Sequence, residues 1–110
     1  MIDVQEYIDD DGKSAFGKWL ESLNVQAAAK ITTALERITK GNFSNVDPVG
    51  EGVSEYKIDW GPGYRIYFGK DGGRLVILIG GGSKKRQAAD IAAAKKRWTE
   101  YKRRKKKGEK

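Results

Sequence analysis

Apolar and polar residues alternate in two neighbouring stretches of the chain. Tyr56, Ile58 and Trp60 are interleaved with Glu55, Lys57 and Asp59, and Tyr64, Ile66 and Phe68 with Arg65 and Tyr67. Successive side chains of a strand point to opposite faces, so each stretch predicts a half-buried β-strand. Lys57, Asp59, Arg65 and Tyr67 are then expected together on an open sheet face. Leu75 to Ile79 is an unbroken apolar run, the pattern of a central strand covered on both sides.

The pattern elsewhere is mostly helical. Ile2, Val4 and Ile8 predict an opening strand that ends near Asp9, Asp10 and Asp11, an acidic cluster suited to capping the helix that follows. Phe16, Trp19, Leu20 and Leu23 recur at helical spacing; Asn24 is a good cap for a second helix with Ala28, Ile31, Leu35 and Ile38 on its apolar side, and Gly41 is a good stop. Residues 42–52, with Pro48, Gly50 and Gly52, read as a loop. Ser83 is placed to cap a last helix whose apolar stripe is Ile91, Ala94, Trp98 and Tyr101.

The predicted order is an N-terminal strand, a helical hairpin, an antiparallel three-strand meander and a C-terminal helix: an α+β domain over residues 1–101, followed by a basic tail over 102–110. Matching the apolar faces of the two alternating strands requires paired residue numbers with an even sum. Pairing Trp60 with Tyr64 meets this, leaves Gly61, Pro62 and Gly63 as the turn, and sets Asp59 opposite Arg65.

Composition narrows the chemistry. The 110 residues contain no histidine and no cysteine, which removes the usual zinc ligands, thiolate catalysis and a histidine base. No metal or cofactor is expected. No apolar run is long enough to span a membrane and the N-terminus does not read as a signal peptide, so a cytoplasmic location is expected. The net charge of +7 is unevenly placed: residues 1–83 hold 9 Lys and Arg against 12 Asp and Glu, whereas residues 84–110 hold 13 against 3. Lys84, Lys85 and Arg86 follow three glycines and a serine, where backbone can approach an anion closely. That basicity points to nucleic acid. The segment GGGSKK lacks the spacing of a nucleotide-binding P-loop.

The segments EYKIDWGPGYRIYF (55–68) and LIGGGSKKRQAADIAAAKKRW (78–98) resemble the RelE and HigB superfamily of toxins from toxin-antitoxin systems, most closely the HigB-like addiction module killer proteins. The resemblance implies a RelE-like small domain and an mRNA interferase, a ribosome-dependent endoribonuclease that inhibits translation. Its implied reaction is attack of a ribose 2′-hydroxyl on the adjacent phosphate without a metal. By position in the motif, Arg65 is the residue expected to hold the scissile phosphate, with Lys84 or Lys85 contacting the same group and Lys57 and Arg86 joining the RNA-binding set. Arg65 has a plainer alternative, a cross-strand pair with Asp59. Tyr67 is either a proton donor or an ordinary strand aromatic, Lys57 serves as a base only if neighbouring cations lower its pKa, and Asp59 is the alternative base. The implied partners are the ribosome, its message and a helix-turn-helix antitoxin. The competing reading is a noncatalytic RNA- or ribosome-binding module whose basic helix docks an antitoxin.

Overall fold

The computed structural model describes residues 1–108. Strand β1 (Asp3–Glu6) leads to helices α1 (Ala15–Glu21) and α2 (Val25–Thr39). Strands β2 (Val46–Gly50), β3 (Val53–Ile58), β4 (Tyr64–Asp71) and β5 (Leu75–Ser83) follow. A single 3₁₀ turn (Lys84–Arg86) then opens into helix α3 (Gln87–Gly108). The sheet order is β1-β5-β4-β3-β2, with β1 parallel to β5 and the other neighbours antiparallel. The α+β reading holds, and the meander gains a fourth strand.

That strand, β2, replaces the loop expected over residues 42–52. Pro48 and the glycines argue against an interior strand, but β2 is the sheet edge, where a proline without an N–H interrupts no second ladder. The register shifts between Pro48 and Gly50.

Local signals set the helix ends. The Ser14 hydroxyl accepts from the Gly17 N–H at 2.9 Å, and Asn24 Oδ1 accepts from the Ala27 N–H at 2.8 Å. The acidic cluster does not cap α1: Asp9 instead accepts from the N–H groups of Asp11 and Lys13, closing the turn before the helix. Ile8 leaves the strand pattern, bridging only to Ser14 with 45% of its surface exposed. Gly41, at φ 79°, ends α2 as expected, its N–H bonded to the Ile38 carbonyl. In α2 the buried line is Ala27, Ile31, Ala34 and Ile38, with Ala28 and Leu35 flanking it.

The sheet is covered on both faces, and this overturns the expected open face. Phe16, Ile31, Ala34 and Ile38 of α1 and α2 pack on Tyr56, Ile66, Phe68, Val76 and Leu78. On the other side, Ala94 and Trp98 of α3 pack on Val53, Tyr67, Ile77 and Ile79. β5 alternates between the two cores, so its apolar run is continuous. Gly69 lets α3 settle, because a Cβ there would lie 2.6 Å from the Trp98 ring.

α3 runs through most of the expected tail. Arg104 donates to the Tyr7 hydroxyl and to the Ile8 carbonyl, and Lys105 pairs with Asp71 at 2.5 Å. Tail residues 109 and 110 lie outside the described residues. Among the described residues no helix is long and apolar enough to cross a membrane.

Candidate functional site

The β3–β4 hairpin pairs Ile58 with Tyr64, Lys57 with Arg65 and Glu55 with Tyr67. Parity is as expected, but the register is two residues from the Trp60–Tyr64 pairing, so the connection is 59–63. The Gly63 N–H bonds to the Trp60 carbonyl, with Gly61 at φ 58°. A positive φ followed by proline has the sign pattern of a type II′ turn. This puts Pro62 where its fixed φ fits, which the shorter loop could not do.

The shift removes Asp59 from Arg65. Arg65 instead approaches buried Glu55, Nε to Oε1, at 3.8 Å, and both residues are 6% exposed. Gln87, opening α3, donates to the same Glu55 oxygen at 2.9 Å. Arg65 Nη1 donates to the Tyr64 carbonyl at 3.2 Å, while its Nε has no hydrogen-bond partner among the described residues. The guanidinium therefore runs along the sheet toward the β3–β4 turn.

Lys84 arrives at the same turn from β5. Its N–H bonds to the Gly63 carbonyl at 2.8 Å, and a Cβ built on Gly63 would lie 3.5 Å from Lys84 Cβ and 3.9 Å from Arg65 Nη1. Arg65 and Lys84, 19 positions apart, thus meet beside Gly63. Lys84, Lys85 and Arg86 are all exposed in the 3₁₀ turn. Ser83 precedes that turn rather than α3 and makes no side-chain cap bond.

Tyr67 is fully buried, and its hydroxyl has no hydrogen-bond partner among the described residues. Burial first, then the charges of Glu55 and Asp90, push its pKa well above the ordinary phenol range, so the phenol is neutral at working pH. Lys57 is drawn away from the cluster to Asp47 at 2.5 Å. That bond raises its pKa, opposite to what a base requires.

Asp90 is the residue the sequence reading missed. It lies over Gly82, which pairs with Arg65, and a Cβ on Gly82 would collide with its carboxylate. Oδ2 is buried without a hydrogen bond among the described residues, and desolvation raises the carboxyl pKa despite Arg86 and Arg97. Its only sequence signal was an acid in the first turn of a basic helix. A cleft of about 360 Å³ adjoins this end of the sheet, lined by Trp19, Tyr64, Lys85, Arg86 and Asp90 among others. Among the described residues no three acidic side chains converge to hold a metal.

The family model described as "Phage derived protein Gp49-like (DUF891)" matches residues 18–102. An uncharacterized protein of Haemophilus influenzae is 44% identical over 63 residues, which cover 56% of this chain and 64% of the relative. The chain thus spans slightly less than two thirds of that relative's length. The family match takes in the second half of α1, all of α2, strands β2 to β5 and most of α3, and on it the chain belongs to the phage-derived Gp49-like family, an addiction-module toxin family of the RelE/HigB-like kind.

Proposed function

We propose that this chain is the toxin of a toxin-antitoxin pair and that it cleaves messenger RNA on the ribosome without a metal. The observation that carries the reading is the meeting of Arg65 and Lys84 beside Gly63 in a member of an addiction-module toxin family. A phosphate at that turn receives the guanidinium from one side and the exposed Lys84 and Lys85 from the other. These cations neutralise the charge that develops as the ribose 2′-oxygen bonds to phosphorus and the 5′-oxygen leaves. Asp90, lying over Gly82 where that residue pairs with Arg65, serves as the proton acceptor, its carboxyl pKa raised by desolvation. The partners in this reading are the ribosome with its message and an antitoxin of helix-turn-helix type.

A noncatalytic ribosome- or RNA-binding module is the second reading. It is favoured by the near-complete enclosure of Arg65 and Tyr67, which leaves Lys84, Lys85 and Arg86 as the reachable cations of the site. Induction in bacteria with mapping of message 5′ ends separates the two. New ends within translated frames support cleavage; growth arrest with intact messages refutes it.

A further inference from the structure

On the helical-hairpin side of the same sheet end lies a second cleft, of about 290 Å³, between α2 and the end of β3. Lys30, Thr33 and Arg37 line one wall from α2, and Asn45, Asp59 and Trp60 line the other. Lys57 also borders it, but its ammonium is engaged with Asp47. Lys30 and Arg37 have no ion-pair partner among the described residues. They are seven residues apart, which returns them to one face of the helix.

Trp60 belongs to neither apolar core. It stacks on Tyr64 at 6.2 Å between ring centroids and 26° between planes, and the Lys30 ammonium lies over the Trp60 ring, 5.7 Å from its centroid. Tyr64 in turn meets Trp19 edge-on, with 6.1 Å between centroids and 63° between planes. The three half-buried rings form a ladder across the end of the sheet. Lys85 and Arg86 stand at its Trp19 end and Lys30 and Arg37 at its Trp60 end.

We infer that this ladder is a track for single-stranded RNA, with the Trp60 cleft a nucleotide subsite separate from the Arg65–Lys84 centre. A flat aromatic platform flanked by cations is what an unpaired nucleotide needs, the ring taking the base and the cations the phosphate. Thr33 and Asn45 supply hydroxyl and amide groups for base edges. An acidic peptide would use the cations but gain little from the platform. The inference deepens the proposed function by naming where the message runs beyond the scissile phosphate, and it rests on that reading for its biological substrate.

The test is binding of a fluorescein-labelled oligouridylate of about eight nucleotides to the full chain, by anisotropy over a salt series, with message cleavage on ribosomes measured in parallel. Trp60→Ala weakens binding about tenfold and Trp60→Phe restores most of it. The double variant Lys30→Ala/Arg37→Ala lowers the salt slope by about 1. Trp60→Phe and the double variant keep the parental melting temperature, because these residues lie outside both cores, whereas Trp60→Ala also gives up the stack on Tyr64 and melts about 2–6 °C lower while staying folded at the assay temperature. Parental binding in Trp60→Ala and in the double variant overturns the subsite, even where cleavage still supports the nuclease. Loss of antitoxin binding in these variants with RNA binding intact also overturns it and makes the cleft a protein interface. Subsite binding by a chain that leaves messages uncut upholds the track and refutes the nuclease.

Discussion

Replacing Arg65 by alanine is the most informative perturbation, because it separates the buried ion pair the structure shows from the phosphate contact proposed above. Its charge lies against Glu55 at 3.8 Å, with both residues 6% exposed. Removing one partner of a buried ion pair costs about 3–5 kcal/mol, mostly through the stranded charge. Gln87 still donates to Glu55 in the variant and the ion pair is long, so the low end, about 3 kcal/mol, applies. For a chain of this size each kcal/mol moves the melting temperature by about 4 °C, which gives a fall of about 12 °C. The double variant Glu55→Gln/Arg65→Met strands no charge and is expected to recover most of that loss. It does not recover the phosphate contact. Thermal unfolding by circular dichroism, run beside message cleavage on translating ribosomes, tells the two apart: stability returns in the double variant while cleavage stays lost. A fall under about 3 °C in Arg65→Ala would refute the buried-pair argument. Recovery of cleavage together with stability would make Arg65 a structural residue and leave the chemistry to Lys84, Lys85 and Asp90.

Asp90→Asn is expected to raise the melting temperature at neutral pH by about 4 °C, the equivalent of relieving roughly 1 kcal/mol of unsatisfied burial, while reducing cleavage. Because the folded-state pKa of Asp90 is raised, the native state holds its proton to higher pH than the unfolded chain. The wild-type penalty therefore grows as pH rises from the unfolded carboxyl value through the folded one, and the advantage of the variant vanishes below that window; melting curves from acid to neutral pH check both limbs. Gly69→Ala forces a Cβ against the Trp98 ring at 2.6 Å and is expected to cost about 1–3 kcal/mol in urea unfolding, with a smaller cost in a Trp98→Phe background. Truncation after Tyr101 would remove the Arg104 and Lys105 anchors as well as charge, so the cleaner test of the tail is Lys102→Ala/Lys106→Ala/Lys107→Ala. That variant is expected to keep its melting temperature and to lower the salt slope of ribosome sedimentation by up to about 2; an unchanged slope excludes those lysines from RNA contact.

The alternating stretches, the apolar run at Leu75 to Ile79, the Asn24 cap and the Gly41 stop were legible in the sequence because each depends on residues within one element. The stripe of Ile91, Ala94, Trp98 and Tyr101 was legible for the same reason. The family resemblance also resided in such segments, 55–68 and 78–98. Of the candidate site, the chain showed the basic turn at Lys84 to Arg86 and singled out Arg65 as a candidate. It did not show that Arg65 and Lys84 share Gly63, since that juxtaposition depends on two strand registers set by packing across the whole sheet.

Tertiary structure alone decided which faces are covered. Arg65 and Tyr67 had the alternation of an exposed face, but α3 lies across them, accommodated by Gly69, and turns polar strand positions into a buried cluster with Glu55, Gln87 and Asp90. β2 escaped detection because pairing along β3 prevailed over the unfavourable strand propensity of Pro48 and Gly50. Trp60 alternates like a core residue, yet the hairpin turns before it and leaves its ring beside Lys30. Hydrophobic periodicity determined what each segment could become; only the closure of two helical layers on one sheet determined which charges were buried and which were left to meet a partner.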